Sequence, residues 1–393
     1  YAGFQGEDGR VPCCVDSRGA DGVPENDSHG QFLFLIAETV RYTGDRGLAA
    51  QMWPHVLSAV SYLDQVRQKR RTAEYESPEK RVFYGLLPES ISHEGYSAKP
   101  MHSYWDDFFA LRGLKDAVSL ATLLGKETEA KEFARIRDEF AADLHASIRL
   151  VMERHGIDYL PGCAELGDFD ATSTTAALAP GGEQARLPKE ALERTFTKYL
   201  ENVARREAGE GEIYTPYEWR TVGALVRLGR RADVLHLLEV FFRDLRPPEW
   251  NQWGEVVWRD PMTPKFVGDL PHTWVGSDFV RSFLDMFAYE REEDSSLVVA
   301  AGLPEAWVRS ARGVSVKGLI TPYGPLDLSL TAQGKGIRIR LSGLKSLPAG
   351  GLVIRPPLSS GARTATINGR PATPSPDGEV VVRSLPAEVV VQP

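Results

Sequence analysis

Apolar residues recur at intervals of three and four from about residue 30 to about residue 288, a period that predicts a succession of helices. Phe32, Leu35, Ile36 and Val40 mark a first stripe, and a second helix fits residues 46–70. A polar loop then runs to about residue 100. Trp105, Phe108, Leu111, Leu114, Val118 and Ala121 mark a third helix, and Phe133, Ile136, Phe140, Leu144, Ile148 and Val151 a fourth. Residues 153–187 read as loop broken by a short helix over Ala171–Leu178, and further helices fit 188–206, 215–228, 232–245 and 273–288. Gly125 and Gly229 stand where C-terminal caps are expected, and Pro188 suits a first turn. The pattern predicts about seven or eight helices in antiparallel hairpins, with long loops that carry Trp, Asp, Glu and His.

After Ala301 the texture changes. Val314–Val316, Leu326–Leu330, Ile337–Leu341, Leu352–Ile354, Thr364–Ile367, Val380–Val382 and Val389–Val391 read as short strands. Gly, Pro and Asn-Gly turns separate them, as at Asn368–Gly369. Regular spacing of this kind predicts a small antiparallel β-sandwich over residues 302–393, behind a helical domain over residues 1–301.

Composition narrows the partners. The 393 residues are 42% hydrophobic and 25% charged, with a net charge of −8 and no basic stripe. That argues against nucleic acid or an anionic membrane as the main partner, and suits a neutral polyhydroxylated ligand. No run of about 18 apolar residues offers a membrane span. Cys13, Cys14 and Cys163 are an odd set with an adjacent pair, which makes no disulfide framework and leaves the compartment open. No metal-ligand spacing, nucleotide-binding loop or nucleophile elbow occurs, so no metal or cofactor is expected. The chain begins at Tyr1 without a signal-peptide pattern and reads as cut inside a larger polypeptide, its N-terminal part missing.

Four segments mix carboxylates with aromatic residues near expected helix ends: Pro24–Gln31, His102–Phe109, Glu165–Ser173, and Trp250–Glu255 followed by Pro271–Trp274. Indole and phenol rings cover the apolar faces of sugars, while Asp, Glu, Asn and His meet the hydroxyls. Glycosidic cleavage needs a protonated carboxyl and a carboxylate on opposite sides of one bond, and these can be distant in sequence, as Asp106 and Glu255 are. The residues expected to contact substrate are Glu25, Asn26, Asp27, His29, His102, Tyr104, Trp105, Asp107, Asp168, Asp170, Glu218, Trp219, Trp250, Trp253, His272 and Trp274. Plainer roles stand beside these. Asp106 and Asp107 suit the first turn of a helix, where the dipole favours anions, and Asp170 suits a cap for a helix beginning at Ala171. A helix N-terminus lowers a carboxyl pKa whereas a general acid needs it raised, so desolvation by Tyr104, Trp105 and Phe108 must win for Asp106 to serve.

The order of these segments resembles the six-hairpin glycosidases: glucoamylases, trehalases, processing α-glucosidases and bacterial α-L-rhamnosidases. Pro24–Asp27 resembles the substrate-binding Asn-Asp-Gly turn of glucoamylase-like enzymes. Trp105–Asp106–Asp107 resembles their Trp-Glu-Glu and the Gly-Trp-Asp of trehalases, in which the acidic residue after Trp is the general acid. Trp253–Gly254–Glu255 with His272–Thr273–Trp274 resembles the segment whose Glu is the general base. The tail, Gly302–Pro304 with Thr321–Gly324, is similar to the β-domain behind the rhamnosidase barrel. The resemblance implies an (α/α)6 toroid of helical hairpins followed by a β-domain, an inverting hydrolase with Asp106 as acid and Glu255 as base, and a carbohydrate substrate. A closed barrel needs about twelve helices, so either roughly four N-terminal helices are expected to be missing from this chain or the barrel reading fails. A phosphorylase or polysaccharide lyase on the same barrel, or a non-catalytic sugar-binding protein, remain the alternatives.

Overall fold

The structure is a computed structural model that describes residues 1–92, 95–210, 213–245, 248–258 and 270–393. The chain divides into two units, Tyr1–Tyr199 and Leu200–Pro393.

In the first unit, a two-residue hairpin (β1, Val15–Asp16; β2, Gly19–Ala20) precedes α1 (Asp27–Thr43), α2 (Arg46–Gln68), α3 (Tyr104–Leu123), α4 (Glu127–His155) and α5 (Ala171–Leu178); α6 (Lys189–Glu207) runs into the second unit. The ends obey local chemistry. Asp45 caps α2 by accepting the Leu48 N–H at 2.9 Å. Gly125 takes φ 69°, and the Lys126 N–H closes onto the Ala121 carbonyl at 2.9 Å. α4 buries one stripe, all six of the residues expected, whereas α3 is buried on nearly every side, as a helix surrounded by others must be. The buried face of α1 is Phe32, Leu33, Ile36, Ala37 and Val40; Leu35, expected in that stripe, points off it and is 60% exposed.

α1 lies on α3 so closely that side chains are excluded between them. A Cβ on Gly30 would stand 2.0 Å from the Phe109 carbonyl oxygen, and one on Gly113 would stand 2.7 Å from the Gly30 Cα. Charge reinforces the contact: buried Asp116 of α3 receives Arg41 of α1 at 2.7 Å and Arg112 at 2.8 Å.

The second unit opens with β3 (Ile213–Tyr214), a 3-10 turn over Pro216–Glu218, α7 (Trp219–Arg227) and α8 (Arg231–Phe242). Gly229 ends α7 as Gly125 ends α3, at φ 75°. β4 (Val257–Trp258) pairs antiparallel with β3, and α9 (Thr273–Asp285) packs on α7. Trp219, Phe241, Phe242, Trp253 and Phe279 form one aromatic cluster there.

Antiparallel structure then takes over, in β5 (Ala288–Arg291), β6 (Ser296–Val299), a single helical turn α10 (Glu305–Val308), β7 (Val314–Thr321), β8 (Gly324–Gln333), β9 (Gly336–Ser342), β10 (Leu352–Ile354), β11 (Thr364–Ile367), β12 (Arg370–Ala372), β13 (Val380–Val382) and β14 (Ala387–Gln392). The expected strands all form, and Asn368 (φ 51°) and Gly369 (φ 77°) make the tight turn between β11 and β12. Alternation buries Leu328, Leu330, Ile339, Leu341, Val389 and Val391 on one face of a six-stranded sheet, in the order β12-β11-β14-β9-β8-β7. Two features depart from the sequence reading. The second sheet, β13-β10-β6-β5, draws two strands from before residue 302, where a helix to 288 was expected to end the helical part. Its β6–β10 pair is parallel rather than antiparallel. Both strands are short, fully buried and apolar but for Ser296, so neither shows the alternation that marks a strand with one wet face.

Among the described residues no helix is long and apolar enough to cross a membrane. The Gly30 contact gives a stability test. Gly30→Ala should lower stability by about 3 kcal/mol through overpacking, while Gly276→Ala in α9, with nothing near its virtual Cβ, should raise it by up to ~1 kcal/mol through helix propensity. Thermal unfolding of both variants measures the contrast.

Candidate functional site

Three carboxylates meet where α1 and α3 begin. Asp27 opens α1, and Asp106 and Asp107 lie in the first turn of α3; all three are buried. The Gly30–Gly113 approach brings the two helix starts together, so that Trp105 Nε1 donates to Asp27 Oδ2 at 2.8 Å; Gln31 donates to the same oxygen at 2.7 Å. The Ser90 hydroxyl accepts the Ser92 N–H at 2.9 Å and donates to Asp106 Oδ2 at 2.5 Å. Asp106 Oδ1 is buried and has no hydrogen-bond partner among the described residues. Asp107 Oδ1 accepts the Leu87 N–H at 3.0 Å.

Burial decides the protonation here. It pushes Asp106 well above the ordinary carboxyl range; the charges of Asp27 and Asp107 add to the effect, and Ser90 opposes it. Burial likewise raises Asp27 against the hydrogen bond from Trp105. It carries Asp107 to about 7, against the Leu87 N–H and the Arg70 charge. Desolvation therefore outweighs the helix N-terminus, the condition a general acid at Asp106 had to meet.

Further polar contacts brace the start of α3. Short bridges lay residues 90, 101, 103 and 163 side by side, and the Tyr104 N–H reaches the Gly162 carbonyl at 3.0 Å. His102 is stacked on Phe83, with ring centroids 4.5 Å apart. Arg70 Nε donates to its Nε2 at 2.9 Å, so Nδ1 carries the proton and donates to Glu165 Oε1 at 2.6 Å. Asp168 accepts the Tyr96 hydroxyl at 2.9 Å and the Cys163 N–H at 3.0 Å. Asp170 caps α5 through the Ser173 N–H at 2.9 Å. Asn26 donates to the Pro88 carbonyl at 2.9 Å, and half-buried Glu25 contributes its charge to the Asp106 environment.

In the second unit the short β3–β4 ladder sets Glu255, two residues before β4, beside Tyr217, three residues after β3. The Tyr217 hydroxyl lies 3.3 Å from Glu255 Oε1 and 2.8 Å from His272 Nε2. The Tyr217 ring stands 5.0 Å from Trp274, and Arg220 lies over both rings while pairing with Asp278 at 2.7 Å. Trp250 is exposed.

Several residues expected to touch substrate are placed in packing instead. His29 is fully buried, accepts the Val11 N–H at 3.1 Å on Nδ1, and is driven to a pKa of about 3 by burial, so it is a neutral core imidazole. Tyr104 is enclosed, its hydroxyl 2.7 Å from Ser147. Trp219 is wholly buried in the aromatic cluster, and Trp253 beside it donates to the Phe241 carbonyl at 2.8 Å. Glu218 is held by Arg206 through two contacts of 2.6 Å. Sequence reasoning passed over Ser90 and Tyr217. Ser90 sits in a polar loop with no periodic signal, whereas Tyr217 stands next to Glu218 and Trp219 and was within reach. Among the described residues no group of three or more His, Cys, Asp or Glu is arranged to hold a metal ion.

The Asp107 carboxyl generates a pH test. Its folded pKa of about 7 exceeds the ordinary aspartate value near 3.8, so the folded state holds the proton longer and loses stability as pH rises from about 4 to 7. Buried His29 acts oppositely over an overlapping range, gaining stability as pH rises from about 3 to 6.5, so the measurement is a difference. Asp107→Asn should match the wild type near pH 4 and exceed it by up to about 4 kcal/mol above pH 7, as read by urea unfolding across that range.

No family model and no curated protein matches this sequence. Solved structures do match it, two α-L-rhamnosidases among them. The α-L-rhamnosidase of Dictyoglumus thermophilum is 10% identical at a TM-score of 0.54, covering 99% of this chain and 42% of its own. The Streptomyces avermitilis α-L-rhamnosidase, solved with L-rhamnose, is 15% identical at a TM-score of 0.51, covering 99% of this chain and 35% of its own. The chain therefore spans less than half the length of either. At such identities the likeness establishes the fold: helical hairpins of the six-hairpin (α/α)6 class followed by a β-domain.

Proposed function

We propose that this chain hydrolyses an O-glycosidic bond by single displacement, with Asp106 as general acid and Glu255 as general base. The observation that carries the reading is the state of Asp106. Burial and the neighbouring carboxylates push its pKa well above the ordinary carboxyl range, and Oδ1 has no hydrogen-bond partner among the described residues. With Ser90 donating to Oδ2, the acidic hydrogen belongs on Oδ1, where it can pass to a leaving oxygen. Glu255 accepts the Tyr217 hydroxyl on Oε1 and would act on water through its carboxylate. Inversion requires the two carboxyls to flank one bond at roughly 6.5–9.5 Å. α-L-Rhamnosides are the first substrates to try, since the two similar structures named above are α-L-rhamnosidases.

Asp106→Asn should cut kcat by roughly 10²–10⁴ on substrates with a poor leaving group, and far less on dinitrophenyl glycosides, whose leaving oxygen needs no proton. Glu255→Gln should cut both alike. An aryl-glycoside panel, with product anomers followed by NMR, checks this. Near-normal turnover by either folded variant would remove that residue from the mechanism. The kcat/KM profile should hold its activity above the ordinary carboxylate range and fall on the alkaline side, as Asp106 gives up its raised proton.

A further inference from the structure

Tyr217 has no role in the mechanism above, yet it is the residue that joins Glu255 to His272. An ionised carboxylate accepts hydrogen bonds and cannot donate them. The 3.3 Å contact to Glu255 Oε1 therefore takes the phenolic proton. The phenol has only one proton, so the 2.8 Å contact to His272 must run the other way, from Nε2–H to the phenolic oxygen. The result is a directed chain, His272 Nε2–H to Tyr217 to Glu255 Oε1. Its direction is set at the carboxylate end.

The surroundings hold the phenol in place. Its ring lies 5.0 Å from that of Trp274 and 5.5 Å from that of His272. Arg220 covers it at 5.4 Å, with its charge balanced by Asp278. The β3–β4 pairing fixes the backbone on both sides.

We infer that Tyr217 is the positioning residue for Glu255: backed by the Nε2–H tautomer of His272, it ties down Oε1 and so presents Oε2 to the attacking water. This rests on the hydrolase reading for its consequence, but the chain itself can be tested without turnover.

The experiment compares wild type with Tyr217→Phe, which keeps the ring packing and loses only the hydroxyl. In protein labelled with ¹⁵N-histidine, the His272 signal is identified by its loss in His272→Asn. Wild type should show a protonated Nε2, and Tyr217→Phe should lose that tautomer preference at an unchanged melting temperature. With substrate, Tyr217→Phe should lower kcat about 10- to 100-fold and leave KM within about twofold. An unprotonated Nε2 in wild type, or one indifferent to the hydroxyl, overturns the chain. Full kcat in Tyr217→Phe, in a protein that does cleave, overturns the positioning role. A wild type with the protonated Nε2 that cleaves nothing in the panel overturns the hydrolase reading and upholds the chain.

Discussion

The closeness of α1 and α3 is the constraint from which the acidic centre follows. Two glycines, Gly30 and Gly113, let the backbones touch, and no other residue type fits at either point without displacing the Phe109 carbonyl or the facing helix. Helices that meet at this distance bring their first turns into register. Asp27 then falls within reach of the Trp105 indole, and Asp106 is drawn beneath the surface with it. Spread the helices by the width of a methyl group and water enters. The carboxyls would then return toward their ordinary range, because burial is the first cause of the shift in all three.

That arrangement is costly to the folded state. Carboxyls held protonated by burial weaken folding at neutral pH, and the packing that supports them must make up the difference. The compensation is visible nearby. Asp116 is clamped by two arginines, and Glu183, fully buried, receives Lys115 at 2.5 Å and His145 at 3.0 Å. Those carboxylates are paired and structural. Asp106, equally buried, faces no cation in any contact among the described residues, and its Oδ1 has no hydrogen-bond partner there.

Much of this was legible in the sequence, for physical reasons. Helices α2, α3 and α4 announce themselves because each presents a stripe or a solid apolar surface, and residues 106 and 107 stand out because two adjacent carboxylates are flanked there by Trp105 and Phe108. Strands β8, β9 and β14 alternate as half-wet strands do. What escaped has a common cause, since partners distant in sequence leave no local trace. Leu35 fits a helical period equally well on the wrong face, and only the position of α3 decides which face is inside. His29, Tyr104, Trp219 and Trp253 carry the chemistry of sugar contacts, but polar atoms on aromatic rings serve buried packing just as well. Strands β5 and β6 carry too little alternation to be told from a helix end.

The parallel pairing of β6 with β10 has a consequence for anyone dividing the polypeptide. Ser296–Val299 precedes residue 302, and Leu352–Ile354 leans on it along one side. A piece excised from residue 302 onward would keep β10 and β13 but strip away the neighbour that completes their ladder. The three apolar residues of β10 would then present an open edge, the kind of feature through which separate chains join and precipitate. The cut that the change of sequence texture invites would make an insoluble fragment, and one beginning ahead of Ala288 would keep the sheet whole.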